Sequence, residues 1–324
     1  MPLNEIKYCP GTLAEGHSTY SRACLSKVFK GKKVHPILAY ESPASSQETD
    51  ELFNDNRKQM SISGVQEKFS VMLEKNKFRL VKEGEQGEYI LKPIPSAGKR
   101  QELMPANEHL TMQIAKQAYG IETAENALIF FKNGAPAYIT RRFDLKEDGS
   151  KLAQEDFASL AKRTPQTYGE HYKYIGNYLE LFQILKKFVP DYPIEAPKLL
   201  KIIIFNYLFS NGDAHFKNFS LIETSLGDFK LSPAYDLLNS SLHIEDKDFT
   251  LDDGLLPKNL AQGEISQQIK ILSDKAEISE TTYSDILNTM LNQTELVEKL
   301  CFSSFLDANS QRNYFQSYET RLKK

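Results

Sequence analysis

The strongest signal in the chain is Ser210-Asn-Gly-Asp-Ala-His-Phe-Lys-Asn218, a polar loop in its second half. This loop follows Leu199 to Phe209, which is apolar almost all round and predicts a helix buried in the middle of a helical lobe. Beside such a helix an unpaired polar cluster is costly, so Asp213 and Asn218 are candidates for chemistry. The alternative is an ordinary loop, in which acidic and amide residues are common turn formers.

The spacing around this loop favours phosphoryl transfer. Asn218 lies five positions after Asp213, and Asp236 lies 23 positions after Asp213, beyond a predicted two-strand hairpin. Phosphoryl transfer needs a carboxylate that accepts a hydroxyl proton and oxygen ligands that hold magnesium on the phosphates. Kinases place the base and the metal-binding amide five positions apart on one loop. His215 and Lys217 fit either phosphate contact or contacts with nearby carbonyls and carboxylates.

A second candidate feature is the pair Lys92 and Glu108. Lys92 ends an apolar predicted strand, and Glu108 lies near the start of a helix predicted for Ala106 to Tyr119. Glu108 is in line with Met112 and Ala115, hence on an inward face, where a carboxylate usually has a cationic partner. A strand lysine and a helix glutamate clamp the α- and β-phosphates in kinases. The alternative is an exposed first-turn glutamate, which the helix dipole favours.

Two loops fit contacts with a nucleotide. Ser61-Ile-Ser-Gly-Val-Gln-Glu-Lys68 has small residues and a glycine that allow backbone amides to approach phosphate oxygens, and Lys68 adds charge. An ordinary turn has the same composition. Arg141-Arg-Phe-Asp144 lies at a predicted boundary between two lobes, where adenine and ribose would lie. Phe143 also fits a core position, and Asp144 also fits a turn cap.

The remaining patterns predict an α+β fold with a small β-rich N-lobe and a larger helical C-lobe. Asn133-Gly134 between two apolar runs predicts a hairpin, because both positions tolerate the positive φ of a type I′ turn. Gln154 to Lys162 and Tyr178 to Phe188 are amphipathic and predict helices. From about residue 260 the pattern is helical.

Composition limits the classes of function. The 324 residues include 40 basic and 43 acidic side chains, a net charge of −3, which argues against a large electrostatic footprint for nucleic acid. Three scattered cysteines are too few for a disulfide framework, and no apolar run reaches the roughly 20 residues that cross a bilayer. We therefore expect a cytoplasmic, globular protein. Cys9, His17, Cys24 and His35 lack the paired spacing of a zinc site, so a packed extension is preferred.

Together these motifs resemble the HipA family of serine/threonine kinase toxins from bacterial type II toxin–antitoxin systems. In the family's order they are Ser61 to Lys68, Ile90-Leu-Lys-Pro93, Asn107-Glu108, Arg142-Phe-Asp144, Gln154-Glu-Asp156, Asn211 to Asn218 and Pro233-Ala-Tyr-Asp-Leu-Leu238. The resemblance covers the chain from about residue 55 to its C-terminus. It implies a bilobal protein-kinase-like fold in which residues 1–60 are an N-terminal extension, 61–145 the N-lobe and 146–324 the C-lobe.

The resemblance also implies roles for single residues. Asp213 would be the catalytic base, Asn218 and Asp236 would bind Mg2+, and Ser61 and Ser63 would be autophosphorylation sites whose modification goes with loss of activity. The residues expected to contact ATP are Lys68, Lys92, Glu108, Arg142, Phe143, Asp144 and His215. The expected substrate is an aminoacyl-tRNA synthetase, whose phosphorylation halts translation.

Partners are expected from the same resemblance. Full-length HipA proteins carry a larger N-terminal subdomain before the serine loop, whereas this chain has 60 residues there, so it looks more like the short HipT branch. The Ser-x-Ser spacing of 61 and 63 also fits that branch. We therefore expect a small HipS-like partner and a HipB-like DNA-binding antitoxin that makes most of the DNA contact, with no membrane association.

Two other functions stay open. The chain would act mainly as a scaffold in an antitoxin–operator complex if catalysis were secondary or lost, although its full set of catalytic side chains argues against this. A small-molecule kinase of the aminoglycoside phosphotransferase type shares the Asp-x4-Asn spacing. That reading does not explain the serine loop.

Overall fold

The computed structural model describes residues 6–43, 53, 67–244 and 247–323. These residues form two compact units. The first unit draws on 1–113, 124–143 and 299–311, and the second on 114–123, 144–298 and 312–324, in each range for the described residues.

The first unit contains a five-stranded antiparallel sheet in the order β2-β1-β3-β5-β4. Its strands are β1 (Phe69–Glu74), β2 (Lys77–Leu80), β3 (Tyr89–Lys92), β4 (Asn126–Phe130) and β5 (Pro136–Arg141). Along β1 buried positions alternate with more exposed ones, as expected for a strand with one face on the core. The central β3 pairs with both β1 and β5, so its side chains are held by two neighbours.

The predicted hairpin at Asn133-Gly134 is confirmed, because β4 and β5 pair antiparallel on either side of it. The predicted type I′ turn is wrong. Gly134 has a φ of +83°, whereas Asn133 is not among the residues with positive φ. The Phe131 amide donates to the Ala135 carbonyl at 2.8 Å, which closes a longer loop that needs only one left-handed residue.

The N-terminal segment packs into the first unit. It includes the helix α1 (Arg22–Phe29), which begins where the Ser21 side chain accepts a hydrogen bond from the Cys24 amide. The buried Tyr20 hydroxyl donates to the Leu128 carbonyl at 2.7 Å. Phe29 lies 4.8 Å from the Tyr20 ring, centroid to centroid, so the segment contributes aromatic side chains to the core beneath the sheet.

Helix α2 (Met104–Gln117) begins and ends two residues earlier than predicted. Every residue from 105 to 115 is buried, although this stretch contains five polar side chains. Gly120 has a φ of +62° after the helix, as expected for a glycine stop signal.

The second unit is mainly helical. The remaining helices of the described chain are α3 (Phe157–Leu160), α4 (Pro165–Tyr168), α5 (Tyr178–Phe188), α6 (Tyr192–Leu208), α7 (Ile265–Lys275), α8 (Glu280–Leu291), α9 (Thr294–Phe302) and α10 (Ala308–Leu322). The buried helix predicted for Leu199 to Phe209 is confirmed in α6, which starts seven residues earlier. None of the helices in the described residues is long and apolar enough to cross a membrane.

A three-stranded sheet adjoins these helices, formed by β6 (Gln154–Asp156), β7 (Ser220–Glu223) and β8 (Phe229–Leu231) in the order β6-β7-β8. The helix predicted for Gln154 to Lys162 is therefore wrong in its first part. Residues 154–156 pair antiparallel with β7, and this pairing outweighs the amphipathic pattern. The predicted α+β class, with a β-rich part followed by a helical part, is confirmed.

Candidate active site

Lys92 and Glu108 form a buried ion pair in the first unit. The Lys92 ammonium donates to Glu108 Oε1 at 2.6 Å, and the two side chains are only 4% and 5% exposed. The sheet register places Lys92 opposite Tyr138 of β5, and its ammonium lies 5.2 Å from the centre of that ring. The pairing inferred from the sequence is thus confirmed, and the alternative of an exposed first-turn glutamate is wrong.

Burying the two charges of this pair costs desolvation free energy. Two charges removed from water lose several kcal/mol each of hydration, and their mutual attraction restores this only when the geometry is good. A hydrophobic pair of similar volume would often stabilise the fold as well or better. A buried lysine and glutamate at this position therefore point to a role beyond stability.

The first residues of the loop after α6 are shaped by a left-handed residue and by a hydrogen bond to Ser240. Ser210 takes a φ of +49° just after α6, which turns the chain out of the helix. The Gly212 amide donates to Ser240 Oγ at 2.7 Å, and a Cβ at position 212 would lie 2.8 Å from the same oxygen. A side chain at position 212 would therefore force Ser240 Oγ to move and would disturb this hydrogen bond.

The Asn218 amide is oriented by the same loop. The His215 backbone N–H donates to Asn218 Oδ1 at 3.2 Å and to the Asp213 carbonyl at 2.9 Å. Asp213, His215 and Asn218 are in this way tied to one short piece of backbone. The side-chain oxygen of Asn218, which sequence analysis assigns to a metal, is fixed in place by that amide.

The Asp213 side chain is half exposed and is contacted by two aromatic residues. The Tyr174 hydroxyl donates to Asp213 Oδ1 at 3.2 Å, and His215 Nε2 lies 3.9 Å from the same oxygen. The Tyr174 and His215 rings meet edge to face at 5.2 Å. No local sequence motif marks Tyr174, which lies 39 positions before the residue that it contacts.

His215 is neutral in this environment. Burial, followed by the positive charge of Lys173, lowers its pKa to about 3. The charge of Asp236 acts in the opposite direction and raises the pKa of His215. The buried Nδ1 of His215 has no hydrogen-bond partner among the described residues.

Asp236 is held beside the loop in an unusual backbone conformation. Its φ is +54°, a left-handed value that costs a non-glycine residue free energy and is often retained at functional sites. The preceding Tyr235 donates its hydroxyl to the Lys217 carbonyl at 3.0 Å. This hydrogen bond ties the segment around Asp236 to the loop that carries Asp213.

The donor atoms of Asn218 and Asp236 suit magnesium. Amide and carboxylate oxygens are hard ligands, and Mg2+ is usually bound by one or two carboxylates together with phosphate and water oxygens. Residues 6–43, 53, 67–244 and 247–323 contain no group of three or more His, Cys, Asp or Glu side chains that could hold a metal ion. Asn218 and Asp236 would leave coordination positions for phosphate and water oxygens, and their binding of Mg2+ stays a prediction.

The other predicted residues lie in loops. Lys68 is half-buried immediately before β1. Arg142, Phe143 and Asp144 are half-buried after β5, and the Arg142 amide donates to the Glu88 carbonyl at 2.9 Å. Phe143 is therefore not a core residue. Their contacts with a nucleotide stay predictions, and Ser61 and Ser63 lie outside the described residues.

Comparison with known sequences agrees with this arrangement. Residues 60–297 match the HipA-like C-terminal domain, which is most of the chain. The chain belongs to that family. It is 29% identical to a Haemophilus influenzae protein named "Putative kinase" over 71% of its own length, and 29% identical to "Putative kinase Y4dM" of Sinorhizobium fredii over 78%. The alignments span 66% and 62% of these relatives, just under two thirds.

Two solved structures share the fold. HipA of Shewanella oneidensis, in a toxin–antitoxin complex with HipB and operator DNA, matches with a TM-score of 0.61 and 20% identity, over 81% of this chain and 63% of that one. The proinflammatory kinase CtkA of Helicobacter pylori matches with a TM-score of 0.52 and 13% identity, over 76% of this chain and 90% of that one. At these identities the likeness concerns the fold.

Proposed function

We propose that this protein is an ATP- and Mg2+-dependent serine/threonine protein kinase. The observation that carries the proposal is the buried Lys92–Glu108 ion pair, which stability alone does not explain. In this proposal the pair positions the α- and β-phosphates of ATP, as a strand lysine and a helix glutamate do in kinases. Lys68, Arg142, Phe143, Asp144 and His215 complete the nucleotide site.

The reaction is an in-line transfer of the γ-phosphoryl group. The hydroxyl oxygen of the acceptor forms a bond to the γ-phosphorus while the bond to the β–γ bridging oxygen breaks, and ADP leaves. Asp213 accepts the proton of the hydroxyl. Asn218 and Asp236 hold Mg2+, which neutralises charge on the phosphates.

The biological role in this proposal is that of a toxin in a type II toxin–antitoxin system, with an aminoacyl-tRNA synthetase as the substrate. Membership of the HipA-like family and the HipB–operator complex of its Shewanella fold neighbour support a HipB-like antitoxin as partner. The net charge of −3 agrees with DNA contact made mainly by that partner. Assignment to the HipT branch, with a HipS-like small protein, rests on the Ser-x-Ser spacing.

Asp213→Asn tests the proposed base. The amide keeps the shape of the side chain but cannot take up a proton, so transfer of radiolabel from γ-labelled ATP to protein should fall by at least 100-fold. Nucleotide binding with magnesium, measured by calorimetry, should persist. Asp285→Asn, an exposed change on α8, is the matched control and should leave transfer unchanged. Retained transfer in Asp213→Asn would contradict the assignment of Asp213 as the base. If the wild type did not bind nucleotide, a non-catalytic scaffold role in an antitoxin–operator complex would be favoured.

The serine loop is proposed to be an autophosphorylation switch. A phosphate on Ser61 or Ser63 adds roughly −1.5 to −2 charges at neutral pH, which repels the phosphates of ATP or pulls the loop outward. Intact-mass spectrometry after incubation with ATP should show added phosphate in the wild type and less in the Ser61→Ala, Ser63→Ala double variant. An identical phosphate count in the two proteins would refute the switch.

A further inference from the structure

The hydroxyl of Tyr174 contacts the side chain of Asp213, the proposed catalytic base. Its oxygen is 3.2 Å from Asp213 Oδ1, to which it donates a hydrogen bond. In the proposed reaction this carboxylate must accept the proton of a substrate hydroxyl. Tyr174 therefore either competes with the substrate or holds the carboxylate in the orientation that the substrate needs.

The backbone around Tyr174 decides between these two roles. The Lys173 carbonyl accepts a hydrogen bond from the Phe216 amide of the Asp213 loop at 3.2 Å. On the other side, the Tyr174 carbonyl accepts from the Asp252 amide at 3.0 Å, and the Gly176 carbonyl accepts from the Asp253 amide at 3.0 Å. A segment held from two sides is poorly suited to swing away as a gate.

A second tyrosine ties the same segment to the same loop. Four residues later, at the start of α5, Tyr178 donates its buried hydroxyl to the Ala214 carbonyl at 2.7 Å. Tyr178 thus holds the backbone next to Asp213, whereas Tyr174 holds its side chain. Both tyrosines lie in one stretch of chain, so these two contacts fix the position of that stretch relative to the Asp213 loop.

Tyr174 remains a donor over the working pH range. Burial, followed by the nearby charge of Asp213, raises its pKa to about 12, so the hydroxyl keeps its proton at neutral pH. Its ring also packs edge to face against His215, which fixes the position of the hydroxyl. The Asp213 side chain is nevertheless 50% exposed, so an acceptor hydroxyl can still reach it.

We propose that Tyr174 is a positioning residue, which binds one carboxylate oxygen of Asp213 so that the other faces the hydroxyl of the protein substrate. This inference rests on the proposed kinase function. During transfer the substrate hydroxyl gives its proton to that second oxygen as its own oxygen bonds to the γ-phosphorus and ADP departs. Tyr174 keeps its own proton throughout and takes no part in bond making.

Tyr174→Phe removes the hydroxyl and keeps the ring that packs on His215. The maximal rate of radiolabel transfer from γ-labelled ATP, to the protein itself and to dephosphorylated casein, should fall on the order of tenfold. The ATP concentration at half-maximal rate and the calorimetric affinity for ATP with magnesium should stay unchanged. A merely structural role would move affinity and melting temperature together with the rate. Tyr172→Phe, in the same segment, is the matched control and should behave as the wild type.

The outcomes separate this inference from the kinase proposal. No transfer by the wild type would overturn both. Transfer by the wild type with an unchanged maximal rate in Tyr174→Phe would overturn the positioning role alone. A higher maximal rate in the variant would also overturn it, because Tyr174 would then be an inhibitory gate. If Tyr174→Phe melted well below the wild type, the rates would be compared at a temperature at which circular dichroism shows both proteins folded; equal maximal rates there would count against positioning.

Discussion

Single side chains carry most of the proposed chemistry, and burial distinguishes the important ones. Lys92–Glu108 and Lys186–Glu277 have the same 2.6 Å separation between nitrogen and oxygen. The first pair is almost completely buried, whereas the side chains of the second are 52% and 63% exposed. Water and ions screen the charges of the exposed pair, so the distance alone does not determine how much each pair contributes to the free energy of unfolding.

Glu108→Gln should therefore destabilise the protein far more than Glu277→Gln. Glu108→Gln leaves the Lys92 charge buried without its carboxylate, which costs about 3–5 kcal/mol of unfolding free energy. Glu277→Gln breaks an exposed pair and should cost less than about 1 kcal/mol. Urea unfolding followed by circular dichroism measures both. Equal losses would show that the Lys92–Glu108 pair is not desolvated in solution.

Whole elements owe their positions to contacts far away in the chain, and α2 is the clearest case. Its buried polar side chains have partners that lie elsewhere or one turn away: Glu108 has Lys92, Gln113 has Asn126, and Thr111 has the Asn107 carbonyl. His109 contacts the Gly11 carbonyl through Nε2 at 3.1 Å. A helix with so many polar residues can be buried because each of these side chains has at least one polar partner, although the Nδ1 atom of His109 has none among the described residues.

His109 makes the stability of the protein depend on pH. Burial lowers its pKa to about 4, from a value near 6.5 in the unfolded chain. Between pH 4 and pH 6.5 the His109 side chain is therefore mostly neutral in the folded protein and protonated in the unfolded chain, so unfolding takes up a proton. Its contribution to stability is fully present above about pH 6.5 and is lost as the pH falls towards 4.

His109→Gln should reduce the slope of unfolding free energy against pH in this window by up to one proton, about 1.4 kcal/mol per pH unit. Urea titrations at pH 4.5, 5.5, 6.5 and 7.5 measure the slope. Thr111→Val, on the same buried helix, removes a polar group that does not titrate. This control should lower stability equally at every pH. A slope in His109→Gln as steep as that of the wild type would contradict the assignment.

At the level of the molecule, the family and the fold class agree while the sequences of the fold neighbours differ widely. The HipA-like domain covers residues 60–297, and the matching structures share 20% and 13% of their residues with this chain. The arrangement of helices and strands can survive such sequence divergence because a packed core tolerates the exchange of apolar residues when volume and pattern are kept. Substrate and partners depend on surface residues, which is why they stay proposals.

Much of this could be read from the order of residues alone. The α+β class, the buried helix before the Asp213 loop and the β4–β5 hairpin follow from periodicity and turn residues, which are local signals. For Glu108 the helix pattern left two interpretations, a partner of Lys92 or an exposed first-turn residue, and the folded structure decided for the first. Local signals gave the wrong prediction for residues 154–156. Their amphipathic pattern predicts a helix, whereas they form a strand whose partner lies more than 60 positions away.

Contacts across such distances belong to the folded chain. Tyr174 meets Asp213 only because two separated segments are hydrogen-bonded to each other, and Asp236 adopts its left-handed backbone only within that setting. Local propensities amount to less than about 1 kcal/mol per residue, whereas packing and buried polar contacts amount to several. The sequence thus determines which residues are available for chemistry, and tertiary packing determines which of them meet and how each is charged.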